Sequence, residues 1–297
     1  MANYSFKKEV EVFIVSGDGK RYKLDVGDIT FNQTFSEKSY PAKTLHLQDR
    51  VFERTVINKA NPANFSFNVL AIVEDDFNII QTLMHSVSTF DLFVKTAADI
   101  FKIDNCVITN GTFVIEKSRP LSIDVQGQGS RVLRGQSLTG GLQSRNTTKT
   151  YTIPQSLTTT IDGTTVPFVI SLTLELQNNI RWTPYTTVHD AISVTDASNS
   201  MYPSSFSLSK KILSGTIVEY LTSTNSSDAQ TWSNNASIVI KAGNGLSGSS
   251  FRGFEFGPAS CAFTNRVSSG NIFTQSYDWR MIESPSNLNT RLDYVTD

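Results

Sequence analysis

Histidine is scarce in this chain, and its scarcity removes a good deal of chemistry. His46, His85 and His189 are the only three among 297 residues, and they stand in unrelated contexts. None has another His or a Cys at the spacing a metal site needs. There is no nucleophile elbow and no phosphate-binding loop. Gly127-Gln128-Gly129 lacks the third glycine of a dinucleotide fingerprint and opens no helix. Asp75-Asp76 stand before an apolar helical run, where capping accounts for them better than a bound cation does. The expectation is a chain with no catalytic, cofactor-binding or metal constellation, and therefore not an enzyme. Long apolar runs are missing too: nothing approaches the roughly 18 residues of a membrane span. Met1-Ala2-Asn3-Tyr4-Ser5-Phe6-Lys7-Lys8 has no apolar stretch of the kind a secretory signal carries. A net charge of −1 leaves no global basic field for DNA or for a membrane surface.

What the chain does have is an internal echo. Asp91-Leu92-Phe93-Val94-Lys95-Thr96-Ala97 is answered by Ser237-Ile238-Val239-Ile240-Lys241-Ala242-Gly243, with 146 positions from Lys95 to Lys241. Cys106-Val107-Ile108-Thr109-Asn110 is answered by Cys261-Ala262-Phe263-Thr264-Asn265, 155 positions on. The nine extra residues fit a Gly/Ser-rich insertion around Gly243 to Phe256. Two copies of one fold are expected, with chance similarity between strands as the competing account. The predicted organisation is a first module over 1–136, a linker over 137–151 and a second module over 152–297. The halves differ in charge, +2 for residues 1–150 (18 Lys/Arg against 16 Asp/Glu) and −3 for residues 151–297 (8 against 11). Two cysteines in equivalent places of side-by-side copies would lie far apart. Free, partly buried thiols are expected, as in a protein folded in a reducing cytoplasm. A Cys–His dyad is conceivable on paper, but nothing marks either thiol as activated.

Periodicity predicts strands along nearly the whole length. Val10 to Val15, a tight turn at Gly17-Asp18-Gly19, Tyr22 to Val26 and Ile29 to Asn32 open the first half. Residues 36–59 are charged and poorly periodic, and are expected as a long contact-making loop, with a plain solvated loop as the alternative. Its candidate contact residues are Lys43, His46, Asp49, Arg50, Glu53 and Arg54. Asn64 to Val73 is the strongest strand of this half. A helix follows over Asp76 to His85, from the spacing of Phe77, Ile80, Leu83 and Met84. Phe90 to Lys95 is a strand, Asn110-Gly111 reads as a hairpin turn, and Leu121 to Gln126 alternates before Gly127 and Gly129 close the copy. In the second half the strands are Phe168 to Gln177, Lys211 to Tyr220, Ile238 to Lys241 and Ile272 to Met281. An irregular region is expected from Tyr185 to about Ser209, and a weak helix over Ser226 to Trp232. In the last strand Phe273, Tyr277, Trp279 and Met281 are placed on one face and Thr274, Ser276, Asp278 and Arg280 on the other.

This order of elements resembles the tail tube proteins of long-tailed bacteriophages and the tube proteins of contractile injection machines. The segments that carry it are Arg50-Val51-Phe52-Glu53-Arg54 leading into Asn64–Val73, Asp76 to His85, Cys106–Asn110, and Asn178-Asn179-Ile180-Arg181-Trp182-Thr183-Pro184. More closely, it looks like the variant with two fused tube modules, in which three chains build the ring that others build from six. The resemblance implies an all-β fold with one short helix per module: two tandem tail-tube β-sandwich or barrel modules that close into a ring-shaped β-barrel on oligomerisation. It implies homotrimer rings stacked into a tube, other tail proteins as partners, and no membrane. The place would be the virion tail, after synthesis in the host cytoplasm. DNA would pass through the lumen without specific binding. The extra C-terminal immunoglobulin-like domain of some relatives is expected to be absent. Lumen side chains should be polar, neutral or acidic, which suits Ser122/Asp124/Gln126 and Thr274/Ser276/Asp278. Two other classes compete. One is a tandem β-sandwich binding module, lectin-like or receptor-binding, with Trp182, Tyr185, Trp232 and Trp279 as candidate ligand aromatics. The other is a different tail ring, such as a terminator or baseplate protein.

Overall fold

The computed structural model describes residues 9–42, 51–70, 74–116, 119–144, 156–183, 201–225, 236–243, 253–282 and 292–295. They are mostly β-strand, with a single helix among them. The apolar run Glu11–Ser16 (β1) turns back into Lys20–Leu24 (β2). Gly19 makes that turn with φ +77, a conformation few L-residues adopt, and donates its N–H to the Ser16 carbonyl at 2.9 Å. Next come β3 (Val26–Asn32), β4 (Phe35–Ala42), β5 (Val51–Ala60) and β6 (Ala63–Leu70). The helix α1 (Glu74–Ser86) precedes β7 (Phe90–Lys95), β8 (Ile100–Glu116), β9 (Ser122–Gly129), β10 (Val132–Leu133) and β11 (Gly141–Leu142). The second half has β12 (Ser156–Ile161), β13 (Thr164–Thr165), β14 (Val169–Trp182) and β15 (Phe206–Tyr220). It ends with β16 (Ala236–Gly243), β17 (Gly253–Ser268), β18 (Thr274–Met281) and β19 (Leu292–Val295).

Strand neighbours recur between the halves. The hydrogen-bonded order β2-β1-β7-β8-β9-β6-β3 runs through the first. The order β13-β12-β16-β17-β18-β15-β14 runs through the second, and every one of these pairings is antiparallel. In each half one long strand passes from one group of neighbours to the next. β8 pairs with β7 through Cys106 and with β9 from Val107 onward; β17 pairs with β16 up to Cys261 and with β18 from there. A bulge precedes each cysteine, with Asn105 at φ 50 in β8 and Gly257 at φ 101 in β17. Gly257 has no substitute: a Cβ there would lie 2.3 Å from the Ile238 carbonyl oxygen. Neither cysteine is in a disulfide, and both are wholly buried at these corners.

Alternation then builds the core. Phe65, Phe67 and Val69 of β6, Leu172, Leu174 and Leu176 of β14, and Tyr277, Trp279 and Met281 of β18 all turn to one buried face. Ile80, Leu83 and Met84 of α1 join the same cluster, which is continuous through both halves. Gly111 is what lets α1 approach, since a Cβ on it would sit 2.1 Å from Met84 Cε. The last seven residues of β8 pair with β14, placing Phe113 opposite Leu174 and Ile115 opposite Leu172. The result is one eight-stranded run, β3-β6-β9-β8-β14-β15-β18-β17.

Several expectations are corrected. Asn110-Gly111 is no hairpin: β8 runs straight through it, and the glycine answers to Met84 and not to a turn. Gly127 lies inside β9, which runs on to end at Gly129; Phe65 fills the space above Gly127 and Ile103 that above Gly129. The expected loop over 36–59 is a hairpin at its ends, β4 with β5, which pairs with no other strand. Residues 43–50 lie outside the described residues. β14 continues past Gln177 through Trp182, and β15 starts at Phe206, inside the irregular region expected from Tyr185 to about Ser209, of which residues 185–200 lie outside the described residues. Phe273 is 54% exposed and belongs to no core face, whereas Gln275 is buried beside Tyr277. The second helix expected over 226–232 lies outside the described residues, as does 244–252, where most of the Gly/Ser-rich insertion falls. Of the expected linker, residues 137–144 are described and lie along the first half: Leu138 packs on Phe13, Val15 and Phe93, and β11 runs parallel to β2.

Two stability predictions follow from this packing. A Cβ at Gly215 would meet the Thr173 carbonyl oxygen at 2.0 Å and Trp279 at 2.6 Å, while one at Gly141 would meet nothing within 4 Å. Gly215→Ala should cost about 3 kcal/mol by overpacking, seen as a lower thermal midpoint, with Gly141→Ala unchanged. The repeated lysines each hold a cross-strand carboxylate. Lys241 bridges Glu255 at 2.6 Å, and Lys95 bridges Glu11 at 2.6 Å with Lys23 adding a second contact at 2.5 Å. The ammonium groups of Lys23 and then Lys95 lower the Glu11 pKa from 4.5 to about 2. Its stabilisation is therefore complete above about pH 4.5 and is lost as pH falls toward 2. The site is partly open, so screening leaves about 1 kcal/mol. Urea unfolding should show Glu11→Gln weaker than the parent at pH 7 and equal to it at pH 2.

Candidate functional site

The side of the eight-stranded run opposite the core is where function can reside. Because β-strands alternate, the residues between the buried ones all share this face. Most are hydroxyl, amide or carboxylate, with Val114, Ile212, Val218, Tyr220 and Ala262 as apolar members and Lys210, Arg266 and Arg280 as cations. Asp28, Thr30 and Asn32 stand on β3, Asn64, Ser66 and Asn68 on β6, and Ser122, Asp124, Gln126 and Gln128 on β9. The second half continues it with Thr173 and Glu175 on β14, Ser214 and Thr216 on β15, and Thr274, Ser276 and Asp278 on β18. The expected polar sets Ser122/Asp124/Gln126 and Thr274/Ser276/Asp278 are thus brought to the same face at matching register positions, next to β8 and β17 respectively.

These groups satisfy one another across the strands. Thr30 and Ser66 hydroxyls lie 2.7 Å apart. The Asn68 amide donates to Asp124 at 2.5 Å, and the Gln128 amide to Asn64 at 3.2 Å. Asn110 donates to Glu175 Oε1 at 2.9 Å, tying the first half to the second. Thr216 donates to Asp278 at 2.9 Å, and Arg266 closes on the other oxygen of Asp278 at 2.5 Å. The cations Arg266 and Arg280 sit at the β18–β17 end of the face. A shallow depression of about 400 Å³ between β3, β6 and β9 is lined by Thr30, Asn64, Ser66, Gln126 and Gln128 with the rings of Phe31 and Phe65. This lining holds no titratable group, so it offers hydrogen bonds and no acid–base chemistry.

A second feature fixes how the halves meet. The last-turn carbonyls of α1 point at β14 and β15. The Asn178 amide donates to the Met84 carbonyl at 2.9 Å and to the Ile108 carbonyl at 3.0 Å. Lys211, opposite Asn178 in the ladder, donates to the His85 carbonyl. Burial pushes the Lys211 pKa down, yet a cation here sits where the helix dipole is negative. The segment after residue 200 also docks on the first half: the Ala60 N–H donates to the Met201 carbonyl at 3.0 Å, and the Ser130 hydroxyl to the Pro203 carbonyl. Asn178 went unremarked in the sequence although it is a polar residue at an apolar position of an alternating strand, which is the signal it offered.

Of the candidate contact residues, Lys43, His46, Asp49 and Arg50 lie outside the described residues. Glu53 and Arg54 fall on β5, with Arg54 opposite Tyr40, and their side chains lie outside what is described. Among the candidate ligand aromatics Trp279 is buried in the core, while Trp182 is half-buried, packs against Phe206 at 5.4 Å and donates to Gln128 at 3.0 Å. Tyr185 and Trp232 lie outside the described residues. Burial in apolar surroundings raises the Cys106 thiol well above its ordinary pKa, which suits packing and not nucleophilic attack. Among the described residues no helix is long and apolar enough to cross a membrane.

The model of the Bacteriophage Baseplate Tube Protein Family matches residues 75–295. No curated protein matches.

The α1 lock makes a testable prediction. Asn178→Ala removes the amide that serves two buried carbonyls and should destabilise by about 2–3 kcal/mol in chemical denaturation. Ser207→Ala, at an exposed hydroxyl on β15, should stay within about 0.5 kcal/mol of the parent.

Proposed function

Because the chain belongs to the bacteriophage baseplate tube protein family, we propose that it is a self-assembling wall subunit of a tail tube whose polar sheet face lines the channel for DNA. Membership makes the protein a structural component of the phage tail or baseplate, located in the virion tail and working beside other tail proteins. The finer reading is that two tandem tube modules are fused in one chain, that three chains close a ring-shaped β-barrel, and that rings stack. DNA passes through without specific binding, and the wall performs no catalysis and needs no cofactor or metal.

One observation carries this reading: both halves contribute to a single face of hydroxyls, amides and hydrogen-bonded acids. DNA affinity comes mainly from cations that displace the counterions of its phosphates. A face whose acids, Asp124, Glu175 and Asp278, are held by neighbouring donors repels or ignores phosphate and lets DNA slide. The recurrence of strand order supports the fused-module reading, since a chain with two equivalent units needs half as many copies to close a ring. The β4–β5 hairpin, which among the described residues pairs with no other strand, is placed to reach a neighbouring subunit or ring. A lectin-like role is disfavoured by the burial of Trp279 and the internal bond of Trp182. The family description favours one variation: a tube segment inside the baseplate, with few stacked rings in place of a full-length tube.

Negative-stain microscopy with mass by light scattering tests this. Hollow rings with the mass of three chains are expected. Long tubes would assign the tail tube, and short stacks the baseplate segment. Rings of six chains would keep the tube and overturn the fused-module reading; a stable monomer at high concentration would overturn both. Reversing Arg50 and Arg54 to Glu should weaken assembly if the hairpin contacts a neighbour, and unchanged assembly would remove that role.

A further inference from the structure

The eight-stranded run ends in two open edges. β3 pairs only with β6, and residues 262–268 of β17 pair only with β18, among the described residues. An open edge presents a row of unpaired backbone N–H and C=O groups, and natural sheets blunt it with lysines, prolines or short strands. Among the described residues the charge of Asp28 and the bulge beside it blunt only the start of β3, and neither Ile29–Asn32 nor residues 262–268 carry a lysine or a proline. β3 carries Ile29 and Phe31 and has neither Lys nor Pro. The one cation on the β17 edge, Arg266, is folded back onto Asp278.

Inside the chain the counterparts of these two edges are already joined. Register links Thr30–Ser66–Gln126–Asn110 in the first half and Thr173–Thr216–Asp278–Thr264 in the second. β14 is therefore the counterpart of β3, and β17 that of β8. β14 and β8 form the seam, where Thr173 faces Val114 and Leu174 faces Phe113. Exposure reports the difference. Phe113 is 5% exposed within the seam, whereas Val267, its counterpart on the open edge, is 59% exposed.

We propose that β3 of one chain pairs antiparallel with residues 262–268 of β17 in a second copy, in the register of the internal seam. Val114 lies four residues beyond Asn110, so Thr30 falls opposite Ser268, Phe31 opposite Val267 and Asn32 opposite Arg266. Phe31 covers the exposed Val267 as Leu174 covers Phe113. The contact is head-to-tail, so it propagates until rotation closes it. It rests on the ring reading above but specifies which strands meet and in what register.

Cysteine cross-linking of the full chain tests this, since paired positions bring Cβ atoms within disulfide reach. Thr30 and Ser268 are both exposed, so Thr30→Cys with Ser268→Cys leaves the fold intact, and Cys106 and Cys261 are buried out of reach. Mild oxidation should give covalent multimers at least tenfold over Thr30→Cys with Thr264→Cys, which lies four residues out of register. Preferential cross-linking of the Thr264 pair would overturn the register. Rings visible by microscopy without either cross-link would overturn the strand pairing and leave the ring reading standing. A monomer by light scattering would overturn both. As a second variant, Val267→Asp puts a charge opposite Phe31; it should abolish rings while leaving the circular dichroism of the folded chain unchanged, and intact rings would count against the proposal.

Discussion

The seam between β8 and β14 is the constraint on which the rest depends. Two β-rich halves on one chain could have hung as beads on a linker. Here backbone hydrogen bonds from Asn110 to Glu116 and from Ser171 to Gln177 make them one sheet. Each such bond contributes only about 1 kcal/mol net. The side chains of the seam contribute more. Phe113, Ile115, Leu172, Leu174 and Leu176 are all buried there, at about 2 kcal/mol each. The same face admits α1 over Gly111, and the helix is then held from the far side by Asn178 and Lys211. First-half helix and second-half strands therefore fold as one unit, and the polar face on the reverse is continuous as a consequence.

The two halves meet the same packing requirement with opposite residues. Phe65 faces Gly127 across β6 and β9, and the ring occupies the space a Cβ on the glycine would need. At the matching position of β15 and β18 the sizes are exchanged: Gly215 faces Trp279. One large and one absent side chain fill the layer in either order, because close packing constrains the summed volume and not which strand supplies it. Charge shows the same freedom. Lys95 reaches Glu11 on the strand to one side, while Lys241 reaches Glu255 on the strand to the other. The buried cysteines are the conservative element, each at the corner where a long strand changes neighbours.

Much of this was legible because alternation is a strong signal wherever one face is buried. Phe90–Lys95 was read to the residue, and Tyr277, Trp279 and Met281 were placed on the buried side. The echoed Lys and Cys positions turned out to be register-equivalent. The errors share one cause. A local rule was applied where a long-range contact decides. Asn-Gly has the chemistry of a turn, but Gly111 is set by Met84, some 27 positions earlier. Gly127 resembles a terminator and is set by Phe65. The β4–β5 ribbon was missed because its sequence carries no clean alternation, and among the described residues it forms a two-stranded sheet of its own. Asn178 was invisible because its partners are carbonyls near residues 84 and 108, which no periodicity can name.

In the channel proposed above, the chemistry of the polar face bears on why the wall is built from asparagine, glutamine, serine and threonine in place of simple acidity. A uniformly acidic wall would repel DNA, but its carboxylates would also repel one another across strands only about 5 Å apart. Amides and hydroxyls resolve this, since each is both donor and acceptor. Asn68 donates to Asp124, Asn110 to Glu175 and Thr216 to Asp278, so every acid in the middle of the face has a neutral partner on the next strand. The ladder stabilises the sheet from the side that apolar packing cannot reach. In the proposed channel it also engages donors that would otherwise be turned to a passing phosphate. Sheet stability and, in the proposed channel, indifference to cargo are then two consequences of one pattern of cross-strand hydrogen bonds.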